Sequence, residues 1–284
     1  MDRREESDVV PDEFPLDQRT DAIEGFARLV NLIAASHRIL VVTGAGISTE
    51  AGIPDYRGPN GVWRTQRPVE FDEFVYSEQR RTDYWEQKLA SARVFADALP
   101  GSVHRSCVTL ERAGRLEAIV TQNVDGLHRE AGSSERVIVE VHGTAKEAAC
   151  LSCGARGPIG PILEEFAATR VPPRCSVCDG LLKPATISFG QQLDALTISR
   201  ASLAADRCDI VIALGTTLSV HPAAAIPLRA ARRGVPYVIV NRGLTDHDRL
   251  GSVTLRIEGE VGEVFAAAVS EALDRSSDDP TGIH

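Results

Sequence analysis

The 284-residue sequence contains no apolar run near the roughly 18 residues needed to span a bilayer, so no membrane segment is expected. Lysine is scarce, with three against 28 arginines, and basic residues are nowhere clustered into the stripe that a nucleic-acid footprint requires. Direct nucleic-acid binding is therefore not expected. The formal net charge is −9, and residues 1–24 carry −6 of it through nine acids against Arg3, Arg4 and Arg19, leaving a nearly neutral body. Residues 1–20 read as a disordered acidic tail. That leader lacks the apolar core of a secretion signal and the acid-poor pattern of a transit peptide, so a cytoplasmic protein is expected. With 43% hydrophobic and 25% charged residues the chain has globular composition and is long enough for one large domain with insertions.

Apolar positions Ile23, Phe26, Val30 and Ile33 recur at helical spacing and predict a helix from Asp21 to His37. Ile39 to Val42 reads as a buried strand running into the glycine turn Thr43-Gly44-Ala45-Gly46, and the segment as a strand–loop–helix unit. Further apolar runs, at 118–121, 137–141, 185–189, 209–214, 237–240 and 253–257, are Val/Ile-rich without alternation and alternate with helical stretches. Continuous apolar strands separated by helices indicate a doubly wound parallel α/β sheet covered on both faces, a Rossmann-like fold. Residues 58–100, rich in aromatic and charged residues, and residues 146–184, with paired cysteines and prolines, interrupt that rhythm. They are expected to form a smaller domain, a helical module plus a cysteine module, above the carboxyl ends of the strands. The large domain then comprises 21–57, 101–145 and 185–275, with 276–284 as a flexible tail.

Six cysteines are present. Cys150, Cys153, Cys175 and Cys178 form two Cys-x-x-Cys pairs separated by 21 residues, a spacing that suits a closed tetrahedral zinc site; four unligated thiols are the alternative. A closed site leaves no position for water or substrate, so the metal is structural. Cys107 and Cys208 stand alone in apolar surroundings and read as small buried hydrophobes.

The Gly44-Ala45-Gly46 turn is weak evidence alone, because a dinucleotide fingerprint wants a third glycine where Thr49 stands. Gln122-Asn123-Val124-Asp125 directly follows a strand, and its amides and carboxylate either meet a polar ligand or satisfy their own turn. Gly215-Thr216-Thr217 and Asn241 also follow strands and offer small and polar groups to a nucleotide. His142 ends a strand just before the cysteine module, at the cleft between the domains, where a structural role and a proton-transfer role are both open. His104 and His128 fall in helical segments and read as structural.

Taken together, Gly44-Ala45-Gly46-Ile47-Ser48, Gly52-Ile53-Pro54-Asp55-Tyr56-Arg57, Thr121 to Asp125, His142-Gly143, the four cysteines, Phe189-Gly190, Gly215-Thr216-Thr217 and Asn241 resemble the sirtuins, NAD-dependent protein deacylases. Ser48-Thr49-Glu50 with Pro54-Asp55-Tyr56-Arg57 is similar to the class II branch, which includes the mitochondrial lipoamidase and ADP-ribosyltransferase-like sirtuin. The resemblance implies NAD as co-substrate, one structural zinc ion, and acylated lysine side chains of proteins as partners. It implies that His142 is the general base and that Asn123 shares in catalysis. NAD would contact Gly44, Ala45, Gly46, Ser48, Asp55, Tyr56, Arg57, Gln122, Asn123, Val124, Asp125, Gly215, Thr216, Thr217, Asn241, Arg242, Gly243 and Val261. Substrate would contact Ile187, Phe189 and Gly190. The implied reaction has the acyl oxygen attack the ribose as nicotinamide leaves, then His142 deprotonate a ribose hydroxyl that takes the acyl group, giving 2′-O-acyl-ADP-ribose.

The chain departs from the family's pattern at Gln191, where many sirtuins carry an acid, and in lacking the Tyr-x-x-Arg pair of desuccinylases, since Tyr84 is followed by Gln87. Neutral acyl groups are therefore expected to be preferred. Mono-ADP-ribosyl transfer or lipoamide cleavage on the same NAD chemistry, and a non-catalytic NAD or ADP-ribose sensor, are the alternatives.

Overall fold

A computed structural model describes residues 22–58 and 61–277. The expected acidic tail and residues 278–284 of the expected C-terminal tail lie outside the described residues. Helix α1 (Ala22–Ala35) leads into β1 (Ile39–Thr43), followed by α2 (Phe71–Tyr76), α3 (Glu78–Asp97) and α4 (Ser102–Arg112). Then come β2 (Leu116–Thr121), α5 (Leu127–Glu130), β3 (Ile138–Glu140), β4 (Gly143–Cys150), β5 (Arg156–Pro158), α6 (Ile159–Thr169) and β6 (Leu182–Thr186). The chain continues through α7 (Ala195–Arg207), β7 (Ile210–Leu214), α8 (Ala225–Ala231), β8 (Tyr237–Asn241), β9 (Leu255–Glu258) and α9 (Val261–Ser277).

Six strands form a parallel sheet in the order β3-β2-β1-β7-β8-β9, two mononucleotide-binding halves that meet between β1 and β7. The fully buried strand β1 shows why both faces must be covered. Ile39 and Val41 pack with Leu29, Val30 and Ile33 of α1, Cys107 of α4 and Phe265 of α9, whereas Leu40 and Val42 pack with Ala201 of α7 and Ile226 of α8. Alternate side chains of one strand thus feed two apolar cores, and the run reads as continuous rather than alternating. Cys107 and Cys208 are buried in these cores, and burial pushes their thiols up to about 12 and about 11.

A second, three-stranded sheet has the order β5-β4-β6 and is antiparallel. Beside it, Phe74 and Trp85 share one core with Ala148 of β4 and Phe166 of α6, so segments far apart in sequence bury each other's apolar faces. Both segments leave the large sheet at the carboxyl ends of its strands, after β1 and after β3. Among the described residues, no helix is long and apolar enough to cross a membrane.

The structure corrects four local expectations. Residues 185–189 are not a strand of the large sheet: Ala185 and Thr186 end β6, which pairs antiparallel with β4, and Ile187 to Phe189 lie outside the strands. A short apolar run has the same local signature in either sheet, and only its partner decides. The segment after β1 forms two 3-10 turns, Ala45–Ile47 and Thr49–Ala51, instead of a helix, because Gly52 takes a left-handed φ of 82° and Pro54 cannot continue the ladder. Ile23 fits the helical period of α1 yet is 80% exposed, since it precedes the turns that reach the core. Residues 276 and 277, expected in the C-terminal tail, are the end of α9.

Candidate active site

Between β1 and β7 the two chain turns touch backbone to backbone. The Gly44 N–H donates to the Leu214 carbonyl at 3.1 Å, and the Gly46 N–H to the Gly215 carbonyl at 2.9 Å. A Cβ on Gly46 would stand 2.9 Å from the Gly215 Cα, and one on Gly215, which has φ 59°, only 2.7 Å from the Ile47 nitrogen. Glycine is therefore required on both sides of this contact. It lets the two turns close on each other at the switch point, the place where open parallel sheets take nucleotides.

Buried polar groups converge on the same edge. Thr43 ends β1, Asn123 and Asp125 follow β2, Thr216 follows β7 and Asn241 ends β8; each is less than a tenth exposed. They are joined by hydrogen bonds rather than left alone. The Asn123 Nδ2 donates to Ser48 Oγ at 3.1 Å, and Ser48 Oγ in turn donates to Asp125 Oδ2 at 2.8 Å. The other Asp125 oxygen accepts from the Leu127 N–H at 2.9 Å. Gln122 Nε2 donates to Thr216 Oγ1 at 2.9 Å and so spans β2 to β7 across β1. Asn241 Nδ2 donates to the Arg242 and Gly243 carbonyls, which shapes the turn after β8. Val261, at the start of α9, lies in the same apolar cluster as Ile47.

His142 lies between β3 and β4, half-buried, with Nδ1 3.1 Å from the Gln122 carbonyl oxygen. A carbonyl only accepts, so Nδ1 carries the proton and Nε2 is the basic nitrogen. Burial pushes the imidazole's pKa down, the Gln122 carbonyl opposes this and Arg57 adds to it. The His142 carbonyl accepts from the Ile187 N–H at 2.8 Å, which ties the general-base candidate to the chain leading to Phe189.

Tyr56, Trp63 and Phe189 form an aromatic cluster. Tyr56 and Trp63 have ring centroids 4.9 Å apart, and Trp63 lies edge-on to Phe189 at 5.2 Å. The Arg57 guanidinium sits 4.3 Å over the Trp63 ring. The Phe71 N–H donates to the Phe189 carbonyl at 2.8 Å, fixing the loop that ends in Gly190 at φ 81°. Several of the expected contact residues make bonds within the protein. Asp55 closes a turn by accepting from the Gly58 N–H, Thr217 Oγ1 pairs with Ser219, Val124 offers its carbonyl to Ala145, and Arg242 forms an exposed ion pair with Glu260. Trp63 was missed by sequence reasoning, although an aromatic residue six positions after Arg57 in a glycine-rich stretch was a usable signal.

Beneath the polar network lie two more buried groups. His104 and His128 are fully or nearly fully buried with ring centroids 4.7 Å apart. His128 Nε2 lies 3.2 Å from Thr43 Oγ1, and His104 Nδ1 accepts from the Gly101 N–H at 3.0 Å. Burial holds both imidazoles below the ordinary histidine pKa.

At the far end of β4, the sulfurs of Cys150, Cys153, Cys175 and Cys178 all lie within 4.8 Å of one another. Cys150 and Cys178 sulfurs are 3.5 Å apart and those of Cys153 and Cys175 3.7 Å. Thiolates about 2.3 Å from a tetrahedral zinc ion stand about 3.8 Å apart, so the spacing fits zinc; no disulfide joins any pair. The Cys153 and Ser152 N–H groups donate to the Cys150 sulfur and hold its thiol down to about 6. The cluster fits a structural zinc.

A Rossmann-like sheet with glycine turns in contact at its switch point, a set of buried polar groups and a histidine base candidate defines a nucleotide-using α/β enzyme. The Sir2 family model matches residues 44–222, and the chain belongs to that family. It is 40% identical over 245 residues to an NAD-dependent protein deacetylase of Rhodopseudomonas palustris, covering 86% of this chain and 96% of that protein. It is also 40% identical over 250 residues to NAD-dependent protein deacetylase 1 of Bradyrhizobium diazoefficiens, covering 88% and 97%. Among solved structures, a Sir2 enzyme with p53 peptide and NAD+ superposes with a TM-score of 0.77 at 32% identity, covering 87% of this chain and 98% of that one.

Proposed function

We propose that this chain is an NAD-dependent protein-lysine deacylase that releases nicotinamide, free lysine and 2′-O-acyl-ADP-ribose. The observation that carries this reading is His142, whose Nδ1 is committed to the Gln122 carbonyl so that its Nε2 faces the reaction as a neutral base. When bound, NAD+ supplies the ribose carbon that the acyl oxygen attacks and the hydroxyl that receives the acyl group.

The chain's own residues do the rest. Gly44, Ala45, Gly46, Gly215 and Thr216 form the backbone floor under the phosphates; the Gly44, Gly46 and Gly215 N–H groups are spent on carbonyls within the protein, and the glycines serve by letting the turns approach closely. Ser48, Gln122, Asn123 and Asp125 hold the nicotinamide ribose and carboxamide, with Asn123 beside the reacting centre. Asp55, Tyr56, Arg57, Val124, Thr217, Asn241, Arg242, Gly243 and Val261 complete the cofactor's surroundings, some through backbone alone. Ile187, Phe189 and Gly190 bind the peptide side, and the Tyr56–Trp63–Phe189 aromatics exclude water from the developing cation. His142 takes the ribose hydroxyl proton at Nε2 and returns it later.

In this reading residues 58–100 and 146–184 act as one small domain, and the zinc holds its shape. The class II likeness is part of the proposal and rests on Ser48-Thr49-Glu50 and Pro54-Asp55-Tyr56-Arg57; Glu50 accepts from Ser102 Oγ at 3.0 Å, pinning the turn after the glycine loop to α4. Transfer of ADP-ribose to a protein acceptor is the second reading, since it uses the same first cleavage. The unpaired cysteines support a cytoplasmic setting. Incubation with NAD+ and an acetyl-lysine peptide, followed by mass spectrometry, tests the proposal: O-acetyl-ADP-ribose and free peptide are expected. ADP-ribosylated protein without deacylated peptide would favour the second reading.

A further inference from the structure

Helix α4 begins without a side-chain cap of its own. Its N-cap residue, Gly101, has nothing to offer the first turn, and the Ser102 N–H is satisfied from a distant part of the chain. The acceptor is Glu50, an exposed residue of the 3-10 turn Thr49–Ala51. Its Oε1 accepts from that N–H, and the Ser102 hydroxyl lies 3.0 and 3.1 Å from the two carboxylate oxygens. Two glycines leave the carboxylate its room. A Cβ on Gly101 would displace Glu50 Oε1, and one on Gly262, the second residue of α9, would stand 2.8 Å from Glu50 Oε2. The amino-terminal ends of two helices thus meet at one carboxylate, a favourable place for a negative charge.

The segments joined here flank the polar network of the site. Two residues before Glu50, Ser48 Oγ accepts from Asn123 and donates to Asp125; five residues after it begins Asp55-Tyr56-Arg57; and Val261 immediately precedes Gly262. Within the turn, the Ala51, Gly52 and Ile53 N–H groups donate to the Ser48 and Thr49 carbonyls, which closes the turn on itself. Ile53 packs with Ala98 and Leu127, and the Glu50 side chain adds the polar tie to α4.

We propose that Glu50 is a positioning residue for NAD+: it caps α4 from across the chain and so fixes, against α4 and α9, the turn that presents Ser48 and Asp55-Tyr56-Arg57 to the cofactor. The inference rests on the deacylase reading for the roles of those residues. Glu50 itself touches no reacting atom. Its charge-assisted bonds to Ser102 hold the turn, whereas its negative charge, taken alone, disfavours the anionic pyrophosphate. Cutting the tie and removing the charge therefore have opposite signs: the first loosens NAD+, the second tightens it.

Calorimetric titration with NAD+, together with kcat and the KM values for NAD+ and an acetyl-lysine peptide, tests the inference in wild type, Glu50→Ala, Ser102→Pro and the double variant. Ser102→Pro removes both donors that Glu50 uses, and proline suits the first helical position after the extended Gly101. Each single variant should raise the NAD+ Kd and KM on the order of 10-fold, with the peptide KM and kcat at saturating NAD+ held within about twofold. Both break the same tie, so the double variant should bind NAD+ no worse than either single one. An unchanged or lowered NAD+ Kd in either single variant overturns the inference. Additive losses in the double variant, or a fall in kcat and melting temperature without a rise in the NAD+ KM, overturn it as well. Wild type that forms no O-acetyl-ADP-ribose overturns the deacylase reading instead, and the NAD+ titrations still decide the role of Glu50.

Discussion

The Nδ1 atom of His142 lies 3.1 Å from the backbone carbonyl oxygen of Gln122, the first residue of the polar run that follows β2. One hydrogen bond thereby fixes both the ring's orientation and its tautomer. Because burial lowers the imidazole's pKa, the neutral base form persists to pH values below the usual histidine midpoint of about 6.5. Protonation removes the base, so kcat/KM should be flat through neutral pH and fall only on the acid side, with an apparent pKa under about 6.5. A pH–rate profile of deacylation checks this, and an acid limb centred above 7 would contradict the assignment.

Gly215 has φ 59° and its Cβ position lies 2.7 Å from the Ile47 nitrogen. Gly215→Ala therefore combines a left-handed non-glycine residue with a backbone collision, and should cost roughly 1–3 kcal/mol of stability. Denaturant unfolding reads that loss. Calorimetric titration with NAD+ should show weakened binding in whatever fraction remains folded, because the switch-point turns must separate.

The four-cysteine cluster stands at the end of β4, apart from His142 at the start of that strand. Zinc removal should abolish turnover by loosening the small domain, not by taking away a Lewis acid. Atomic absorption should find one zinc ion per chain in the active protein. After chelation, fluorescence of the buried Trp85 should change together with activity, and both should return with added zinc.

His104 and His128 are buried neutral beneath Thr43 and Asp125, and both have pKa values lowered by burial. An unfolded chain binds protons at these positions below about pH 6.5 while the folded one does not. Their neutral form contributes stability above that pH, and it is lost as pH falls from the unfolded value toward the lower folded one. Replacing His128 by Asn should flatten the pH dependence of the melting temperature between about 6.5 and 5, even as it lowers stability at pH 8.

The sequence made the large sheet legible because strands such as Ile39–Thr43 are buried on both faces and stay apolar throughout. The cysteine site was legible through spacing, and His142 through its place beside that site. The β6 segment was not, because Leu182 to Thr186 carries no local mark of an antiparallel partner. The niche around Glu50 was equally hidden: Glu50, Ser102 and Gly262 come from three segments far apart in sequence, and only the fold brings them together. Trp63's place between Tyr56 and Phe189 likewise depends on two chain turns meeting in space.

The central claim is that His142 is the base of an NAD-dependent deacylation. Its most direct test measures His142→Ala beside wild type, for NAD+ binding and for conversion of an acetyl-lysine peptide to O-acetyl-ADP-ribose. The variant should bind NAD+ and keep its zinc while its product formation falls roughly 10²–10⁴-fold. Wild-type rates of deacylation in His142→Ala would contradict the account.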